Sequence, residues 1–235
     1  MTTSKTFRRR VSALLIATAA ATAPVAVPVA NAQGSSDALG RVADAVIGAS
    51  GSIASIGESI SAGSSTGPEL TQVDSVDPER YAGTWYQVAA VPQVFNLQCI
   101  DRTTAEYAVV DDSTLSVRNS CGDVFGGTSV VEGSARITDA ATNASLRVAF
   151  DGIPGQNPDG PTNYRVTYLA DDYSLAIVGD PARRSGFVLS RTPALADDEW
   201  ALVADVIEDR GYQPCTFVTS PQPDGRRDAT PVCAL

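Results

Sequence analysis

The sequence predicts an all-β domain of eight antiparallel strands, in a sandwich or a barrel, followed by one helix. From about residue 77, short segments with alternating apolar and polar residues recur, separated by turn residues. This pattern is typical of antiparallel sandwiches and barrels. A later segment repeats apolar residues at helical spacing. The candidate strands are residues 84–91, 103–110, 114–119, 129–137, 145–150, 163–170, 173–178 and 186–191.

Turn-forming residues stand between these strands where hairpins need them. Aspartate-containing pairs at 111–112, 139–140 and 171–172 suit tight turns, because aspartate tolerates turn conformations and bonds its own backbone. Residues 151–161 are rich in Gly, Pro and Asp and predict a longer loop.

The predicted helix follows the eighth strand. Residues 197–199 are acidic and lie in its first turn, where the helix dipole favours negative charge. Trp200, Val203 and Ile207 recur on one face, and Gly211 stands where the helix should end. We therefore expect one C-terminal helix that packs its apolar face on the strands.

The N-terminal residues 1–32 have the three parts of a secretory signal. Basic residues at 5–10 precede an apolar stretch at 11–29, and a small-x-small cleavage pattern ends at Ala32. Prolines interrupt the apolar stretch, so we expect a cleaved signal and no transmembrane segment. Sec and twin-arginine export both fit. The mature protein is expected to be secreted, extracellular or in the cell envelope.

The mature chain divides into three further segments. Residues 33–72 are rich in Ser, Gly and Ala and contain no aromatic residue, which predicts a flexible leader. Residues 73–219 hold the strands and the helix, including a last short strand at 215–219. Residues 220–235 form an irregular tail that ends near Cys233.

Charge and composition exclude several classes of function. Residues 1–32 carry four of the 17 basic residues and none of the 27 acidic ones, so the mature charge is 13 − 27 = −14. Nucleic acid is a poor partner for such a protein. The chain has no histidine, which argues against His-bearing metal or haem sites and Ser-His or Cys-His catalysis. We expect no metal, no cofactor and no enzymatic activity.

Four cysteines are expected to form disulfides, because an even number in an exported chain usually does. Three pairings are possible. Cys99 and Cys121 stand at nearly mirrored offsets from the 111–112 turn, which favours a bond across that hairpin. Cys215 and Cys233 would then fasten the tail.

Three residues indicate how one end of the sheet is closed. Trp85 follows Gly83 on the first strand, where glycine allows close approach and an indole fills a large cross-section. Arg191 ends the eighth strand and reaches the same end if the first and last strands pair. Its guanidinium would then lie over the indole face.

These residues carry a resemblance to lipocalins. Residues 83–86 (GTWY) resemble the Gly-x-Trp motif, Asp172-Tyr173 resembles the Thr-Asp-Tyr turn, and residues 190–193 (SRTP) resemble the arginine motif. Residues 77–81, 173–181 and 189–193 are especially similar to the bacterial branch. The resemblance implies an eight-stranded antiparallel up-and-down barrel of the lipocalin (calycin) type with the helix packed outside. Bacterial members are commonly lipoproteins, whereas no cysteine lies near Ala32, so we expect no lipid anchor there.

The barrel's inward face should bind a small hydrophobic or amphipathic ligand, such as a fatty acid or lysophospholipid. On most strands, the alternation of apolar and polar residues indicates which face points inward. On the second strand, the inward face is the one that the resemblance to lipocalins implies. The predicted ligand-binding residues are Ala89, Phe95, Ala105, Tyr107, Leu115, Val117, Phe150, Tyr164, Val166 and Tyr168, with Leu146, Val148, Leu175, Ile177, Phe187 and Leu189 completing the wall and Asn119 or Gln87 adding polarity. One end of such a barrel stays open to ligand, opposite the end that Trp85 closes. Val94, Phe95 and Leu97 would overhang this open end, with Phe95 as a gate.

Two other functions fit the same sequence. A barrel filled by its own side chains would suit an envelope-associated interaction protein whose leader makes the contacts. A lipocalin-fold enzyme would need a reactive pocket thiol or acid. We expect a secreted lipocalin that binds, and transports or stores, its ligand.

Overall fold

A single antiparallel sheet organises the part of the chain that the structure, a computed structural model, describes: residues 68–94 and 97–235. Its strands are β1 (Gly83–Ala90), β2 (Cys99–Asp111), β3 (Thr114–Asp123), β4 (Thr128–Ile137), β5 (Ser145–Phe150), β6 (Tyr164–Leu169), β7 (Leu175–Gly179), β8 (Gly186–Ser190) and β9 (Val218–Thr219). The helices are α1 (Pro78–Tyr81) and α2 (Asp197–Asp209), with short 3-10 turns at Pro214–Thr216 and Val232–Ala234.

The first eight strands close into an up-and-down barrel. Each strand from β2 to β8 pairs with the next, and β1 pairs with both β8 and β2. The β1–β2 ladder runs from Gly83 opposite Tyr107 to Tyr86 opposite Thr104. The predicted eight-stranded antiparallel barrel with a C-terminal helix is therefore confirmed, and β9 is an additional strand on β1.

Helix α2 lies on the outside of the barrel, as predicted. The Glu199 side chain accepts a hydrogen bond from the Ala196 backbone N–H at 2.7 Å, which caps the first turn. Gly211 follows the helix with a φ of 76°, a left-handed conformation that favours glycine. Trp200, Val203 and Ile207 are buried on the barrel wall.

Helix α1 is an element that alternation did not predict. Asp77 caps it, because its carboxylate accepts a hydrogen bond from the Glu79 backbone N–H at 3.0 Å. Pro78 occupies the first turn, where its missing N–H costs nothing. The helix buries Tyr81 at one end of the barrel.

Two apolar clusters lie on opposite sides of the barrel wall. Side chains alternate between the two faces of a strand, so each strand contributes to both. The interior cluster includes Trp85, Ala105, Tyr107, Leu115, Val117, Ala135, Leu146, Tyr164, Val166, Ala176, Val178 and Leu189. The outer cluster, between α2 and the barrel, includes Val88, Ala89, Leu175, Ile177, Val188, Trp200, Val203, Ile207 and Phe217.

The packed domain begins before residue 73. Leu70 is 0% exposed and joins the outer cluster. Its N–H donates to the Pro181 carbonyl at 2.9 Å, and its own carbonyl accepts from Arg165 at 2.6 Å. Residues 68–72 therefore belong to the domain rather than to the leader. The sequence did not indicate this, because Leu70 is a single apolar residue among polar neighbours. The proposed signal, 1–32, and residues 33–67 lie outside the described residues.

The C-terminal tail fills a gap in the barrel wall. Beyond Tyr86 the β1–β2 ladder stops, and β9 pairs with the end of β1. The buried Gln222 amide donates to the Gln87 carbonyl at 3.0 Å and the Thr103 carbonyl at 2.9 Å. The tail therefore donates hydrogen bonds to carbonyls of β1 and β2 that have no partner in the β1–β2 ladder.

Candidate functional site

The closed end of the barrel, defined by Trp85 and Arg191, is sealed as the sequence predicts. The Arg191 guanidinium carbon lies 3.8 Å from the centroid of the Trp85 ring system. The Trp85 indole N–H donates to the Tyr81 carbonyl at 2.8 Å, and the ring is 0% exposed. Arg191 also donates to the carbonyls of Thr84 at 2.8 Å, Arg80 at 2.8 Å, Ala82 at 2.9 Å and Tyr81 at 3.2 Å.

Gly83 allows this arrangement. Its φ is 95°, a left-handed conformation that side chains disfavour. A Cβ atom at this position would lie 3.4 Å from the Arg191 guanidinium. The glycine before the tryptophan therefore lets α1 turn directly into β1 beneath Arg191.

The turn between β6 and β7 holds α1 in place at the same end. The Asp77 backbone N–H donates to the Tyr173 hydroxyl at 2.9 Å, and Arg80 lies 3.9 Å above the Tyr173 ring. Tyr173 has a φ of 63°, and Asp172 accepts a hydrogen bond from the Ser174 N–H at 3.0 Å. The contacts of Tyr173 with Asp77 and Arg80 hold α1, and with it Tyr81, at the closed end of the barrel.

Three tyrosine hydroxyls meet in the interior above Trp85. The Tyr81 and Tyr164 hydroxyl oxygens are 2.7 Å apart, and the Tyr107 hydroxyl donates to Tyr164 at 3.2 Å. Burial raises the pKa of Tyr107 to about 12 and the pKa values of Tyr81 and Tyr164 well above their usual value. Two hydrogen bonds use two of the three hydroxyl protons, so one proton has no acceptor among the described residues.

Exposure of the inward face increases toward the opposite end, which we call the open end. Near the closed end, inward residues are buried. Farther along the same strands, inward residues are half-buried although they point to the barrel axis. The buried members are Ala135 and Ile137 on β4, Leu146 on β5 and Leu189 on β8, and the half-buried ones are Val131, Val148, Phe150 and Phe187.

Asn119 supplies an unpaired polar atom on this inward face. It lies opposite Ala105 on β2 and Val131 on β4, and cross-strand partners share a face. Its side-chain carbonyl oxygen Oδ1 is buried and has no hydrogen-bond donor among the described residues. A buried polar atom without a partner is costly, so this oxygen suits a donor from a bound molecule.

Seven of the ten predicted ligand-binding residues belong to the interior cluster. They are Ala105, Tyr107, Leu115, Val117, Phe150, Tyr164 and Val166. Their position on the inward face follows from alternation. Their contact with a ligand stays a prediction.

Two predicted ligand-binding residues, Ala89 and Tyr168, are wrongly placed on the inward face. Both belong to the outer cluster beside α2. The pairing register shifts between Gln87 and Ala89 on β1 and between Val166 and Tyr168 on β6. Such a bulge inserts one residue and reverses the facing of those that follow. Leu175 and Ile177, opposite the shifted part of β6, also lie in the outer cluster, and Ala176 and Val178 face inward instead.

The predicted lid is only partly described. Phe95, the predicted gate, lies outside the described residues. Val94 and Leu97 are 84% and 76% exposed, so they make few contacts with the barrel. The Gln87 side chain, considered as a polar ligand contact, donates to the Ser220 hydroxyl at 2.8 Å and serves the tail.

All four cysteines form disulfides. Cys99 bonds to Cys121 and Cys215 to Cys233. The first bond ties the start of β2 to the end of β3 at the open end, and the second holds the tail near α2.

Tyr81 and Val131 also face inward, which the sequence pattern did not predict. Tyr81 lies on α1, and the aspartate-proline pair at 77–78 was the available signal, since it caps short helices. Val131 is one of two adjacent valines, so alternation alone did not show which of them faces inward.

Two classes of site have no candidate in the described part of the chain. No cluster of three or more Cys, Asp or Glu residues there is arranged to hold a metal ion. No helix between residues 68 and 235, outside the gap at 95–96, is long and apolar enough to cross a membrane.

A closed eight-stranded barrel with a tryptophan and arginine seal and an outer helix defines a lipocalin-type protein. The model of the Lipocalin-like domain family matches residues 76–222. The chain belongs to the lipocalin family, of the bacterial type.

Comparison with known proteins agrees with this assignment. The outer membrane lipoprotein Blc of Escherichia coli K12 is 33% identical over 155 residues, 66% of this chain and 84% of that protein. Temperature-induced lipocalin-1 of Arabidopsis thaliana is 31% identical over 159 residues, with the same coverage of 66% and 84%.

Among solved structures, insecticyanin from the tobacco hornworm Manduca sexta has a TM-score of 0.53 and 20% identity, covering 70% of this chain and 94% of that one. The cockroach allergen Per a 4 has a TM-score of 0.50 and 16% identity, with coverage of 65% and 93%. At these identities the two structures support the fold alone.

Proposed function

We propose that this lipocalin binds and transports or stores a small amphipathic ligand, such as a fatty acid or lysophospholipid, inside its barrel. The observation that best supports this proposal is that the exposure of the inward face differs between the two ends of the barrel. Trp85 and Arg191 seal one end, while inward residues toward the other end, such as Val131 and Phe150, keep contact with solvent. A barrel sealed at one end in this way would admit an elongated molecule only from the other end.

The polarity of the interior favours an amphiphile over a plain hydrocarbon. Most inward side chains are apolar, and burying each methylene of a ligand contributes about 0.8 kcal/mol before association costs. The unpaired Asn119 oxygen and the spare hydroxyl proton of the tyrosine cluster add a few hydrogen-bonding groups. Ligand sites commonly combine an apolar lining with such polar groups.

A binding role is better supported than an enzymatic one. The four cysteines are in disulfides, so a catalytic thiol is not available. The buried tyrosines have raised pKa values, which keeps their hydroxyls neutral and makes them hydrogen-bonding groups rather than bases.

Export to the cell envelope or the medium is part of the proposal. The basic and apolar pattern of residues 1–32 and the two disulfides favour an oxidising compartment outside the cytoplasm. The relatives include proteins named outer membrane lipoproteins.

A bulky side chain at the mouth of the interior tests the binding site. Val131 faces inward and is half-buried, whereas its neighbour Val130 faces outward and is 44% exposed. We expect Val131→Trp to weaken the binding of a fluorescent fatty acid by about tenfold or more, equal to about 1.4 kcal/mol. Val130→Trp is the matched control and should bind like the unchanged protein.

Displacement by lysophosphatidylcholine distinguishes amphiphile binding from nonspecific dye association. Thermal unfolding of both variants checks that the barrel is intact. Failure of the unchanged protein to bind the probe, or equal binding by the folded Val131→Trp variant, would contradict the proposed site.

A further inference from the structure

Exposed apolar side chains concentrate at the open end of the barrel. Of the ten large apolar side chains that are exposed in the described residues, seven lie on the β1–β2, β3–β4 and β5–β6 connections or the strand ends beside them. We call them the open-end patch: Val94, Leu97, Ile100, Val124, Phe125, Val130 and Ile153. The other three, Val110, Leu202 and Leu235, are scattered elsewhere, so exposure of this kind is not a general property of the surface.

Phe125 is the most exposed member of the patch and lies at the tip of the β3–β4 hairpin. It is 94% exposed, and Val124 beside it is 57% exposed. A nearly free phenyl ring at a hairpin tip has no structural role in the barrel. Its removal should therefore leave the fold intact.

Four backbone N–H groups of the tip donate to acceptors within the turn. The N–H groups of Phe125 and Gly127 donate to the Asp123 carboxylate at 2.8 Å and 2.9 Å. The Gly126 N–H donates to the Asp123 carbonyl, and the Asp123 N–H donates to the Gly127 carbonyl, both at 3.1 Å. Unsatisfied backbone groups are what makes irregular chain costly in lipid, so this turn is suited to an apolar interface.

The charged groups next to the tip are bonded to neighbouring groups of the protein. Asp101 and Arg102 form an ion pair at 3.2 Å on β2, and the carboxylate of Asp123 is directed to the turn's own N–H groups. The whole chain has a net charge of −10. Apolar contact rather than attraction to anionic groups is therefore the force available to this surface.

We propose that the open-end patch docks on the surface of a phospholipid bilayer, with Phe125 inserted among the headgroups, so that the barrel opens toward the membrane. The inference rests on the proposed function, because an amphipathic ligand partitions into membranes and its uptake is easiest with the mouth against one. The membrane would then be the source or the destination of the ligand.

A lipid surface fits the patch better than a protein partner. The apolar side chains stand on three separate connections, and those at the tips make few contacts with the barrel. A stable protein interface needs about 800 Å² of matched surface from each partner. A bilayer can receive separate tips without shape complementarity, and apolar residues inserted at its interface add binding strength in proportion to the area buried.

Flotation of the mature chain, without the expected signal at 1–32, with phosphatidylcholine vesicles tests the docking. Phe125→Ser should reduce the bound fraction at limiting lipid by about tenfold or more, since it removes the largest apolar area of the patch. Val110→Ser, an exposed valine of the closed end, is the matched control and should bind like the unchanged chain. Added salt should change little, and replacing part of the lipid by phosphatidylglycerol should weaken binding.

A second variant reports insertion directly. Trp85 and Trp200 are 0% and 5% exposed, so an added tryptophan at the tip is the one that meets lipid. Phe125→Trp should show a blue-shifted emission with vesicles and quenching by brominated lipid. An unshifted emission, or equal flotation of Phe125→Ser and the unchanged chain, would overturn the proposal. Self-association that Phe125→Ser abolishes, without flotation, would assign the patch to contacts between copies and overturn it as well.

The two proposals fail separately. Phe125→Ser should bind the fluorescent fatty acid normally in the absence of vesicles, because Phe125 lies outside the interior cluster. Loss of flotation by Phe125→Ser with its probe binding intact supports docking. For the unchanged chain, flotation without any probe binding would refute the ligand site and the role of docking in ligand uptake, whereas probe binding without flotation would refute docking alone.

Discussion

Replacing Arg191 by alanine removes the seal of the closed end and should destabilise the barrel substantially. The guanidinium donates to four backbone carbonyls at 2.8 to 3.2 Å and lies 3.8 Å from the Trp85 ring centroid. Hydrogen bonds from a charged donor contribute about 1.5 to 3 kcal/mol each when buried, and the cation–π contact adds about 0.5 to 2 kcal/mol.

The expected loss is smaller than the sum of these terms. Arg191 is half-buried, so water replaces some of the lost hydrogen bonds, and contributions within one cluster are not additive. We expect Arg191→Ala to lower the free energy of unfolding by about 3 kcal/mol. For a domain of this size that corresponds to a fall in Tm of about 10 °C.

Urea denaturation followed by tryptophan fluorescence and circular dichroism measures the change. Arg118→Ala is the matched control, because Arg118 forms surface ion pairs with Glu132 at 3.4 Å and Glu106 at 3.9 Å, which contribute about 0 to 1 kcal/mol. Arg191→Lys keeps the charge but not the planar fork and should recover part of the loss. A folding free energy for Arg191→Ala that equals that of Arg118→Ala would refute the role assigned to the seal.

Two further predictions concern the tail and the tyrosine cluster. Replacing Cys215 and Cys233 by serine should cost about 3 kcal/mol through loop closure across a sequence separation of 18, and hydrogen exchange should show early loss of protection at the Thr219 and Ser220 amides. The raised pKa of Tyr107, about 12, means that the folded protein favours the neutral phenol. Its stabilising effect is present below the unfolded pKa of about 10 and is lost as pH rises from there through about 12. Unfolding free energies measured across that range should fall more steeply for the unchanged protein than for Tyr107→Phe, and parallel curves would contradict this.

Local patterns were enough to predict the strands and the closed end. Alternation of apolar and polar residues reflects burial of one face of each strand, and the Gly83-Trp85 spacing reflects a turn that only glycine allows beside a large ring. These features depend on neighbours in the sequence, so they can be read from it.

Features that depend on distant contacts could not be predicted in the same way. The bulges before Ala89 and Tyr168 reverse the facing of later residues, and alternation has no signal for an inserted residue. The burial of Leu70 and the contact of Gln222 with two strands are set by where the chain ends lie on the finished barrel. The sequence shows Asn119 only as a polar residue at one of the mostly apolar inward-facing positions. It does not show that the side-chain oxygen lacks a partner among the described residues.

Native mass spectrometry of the protein, purified without detergent or delipidation, shows directly whether the barrel carries a ligand. We expect a mass equal to the disulfide-bonded chain plus one molecule of an amphipathic lipid, which is released on denaturation and depleted in Val131→Trp. A mass equal to the chain alone, unchanged after incubation with excess fatty acid, would contradict a ligand-binding interior.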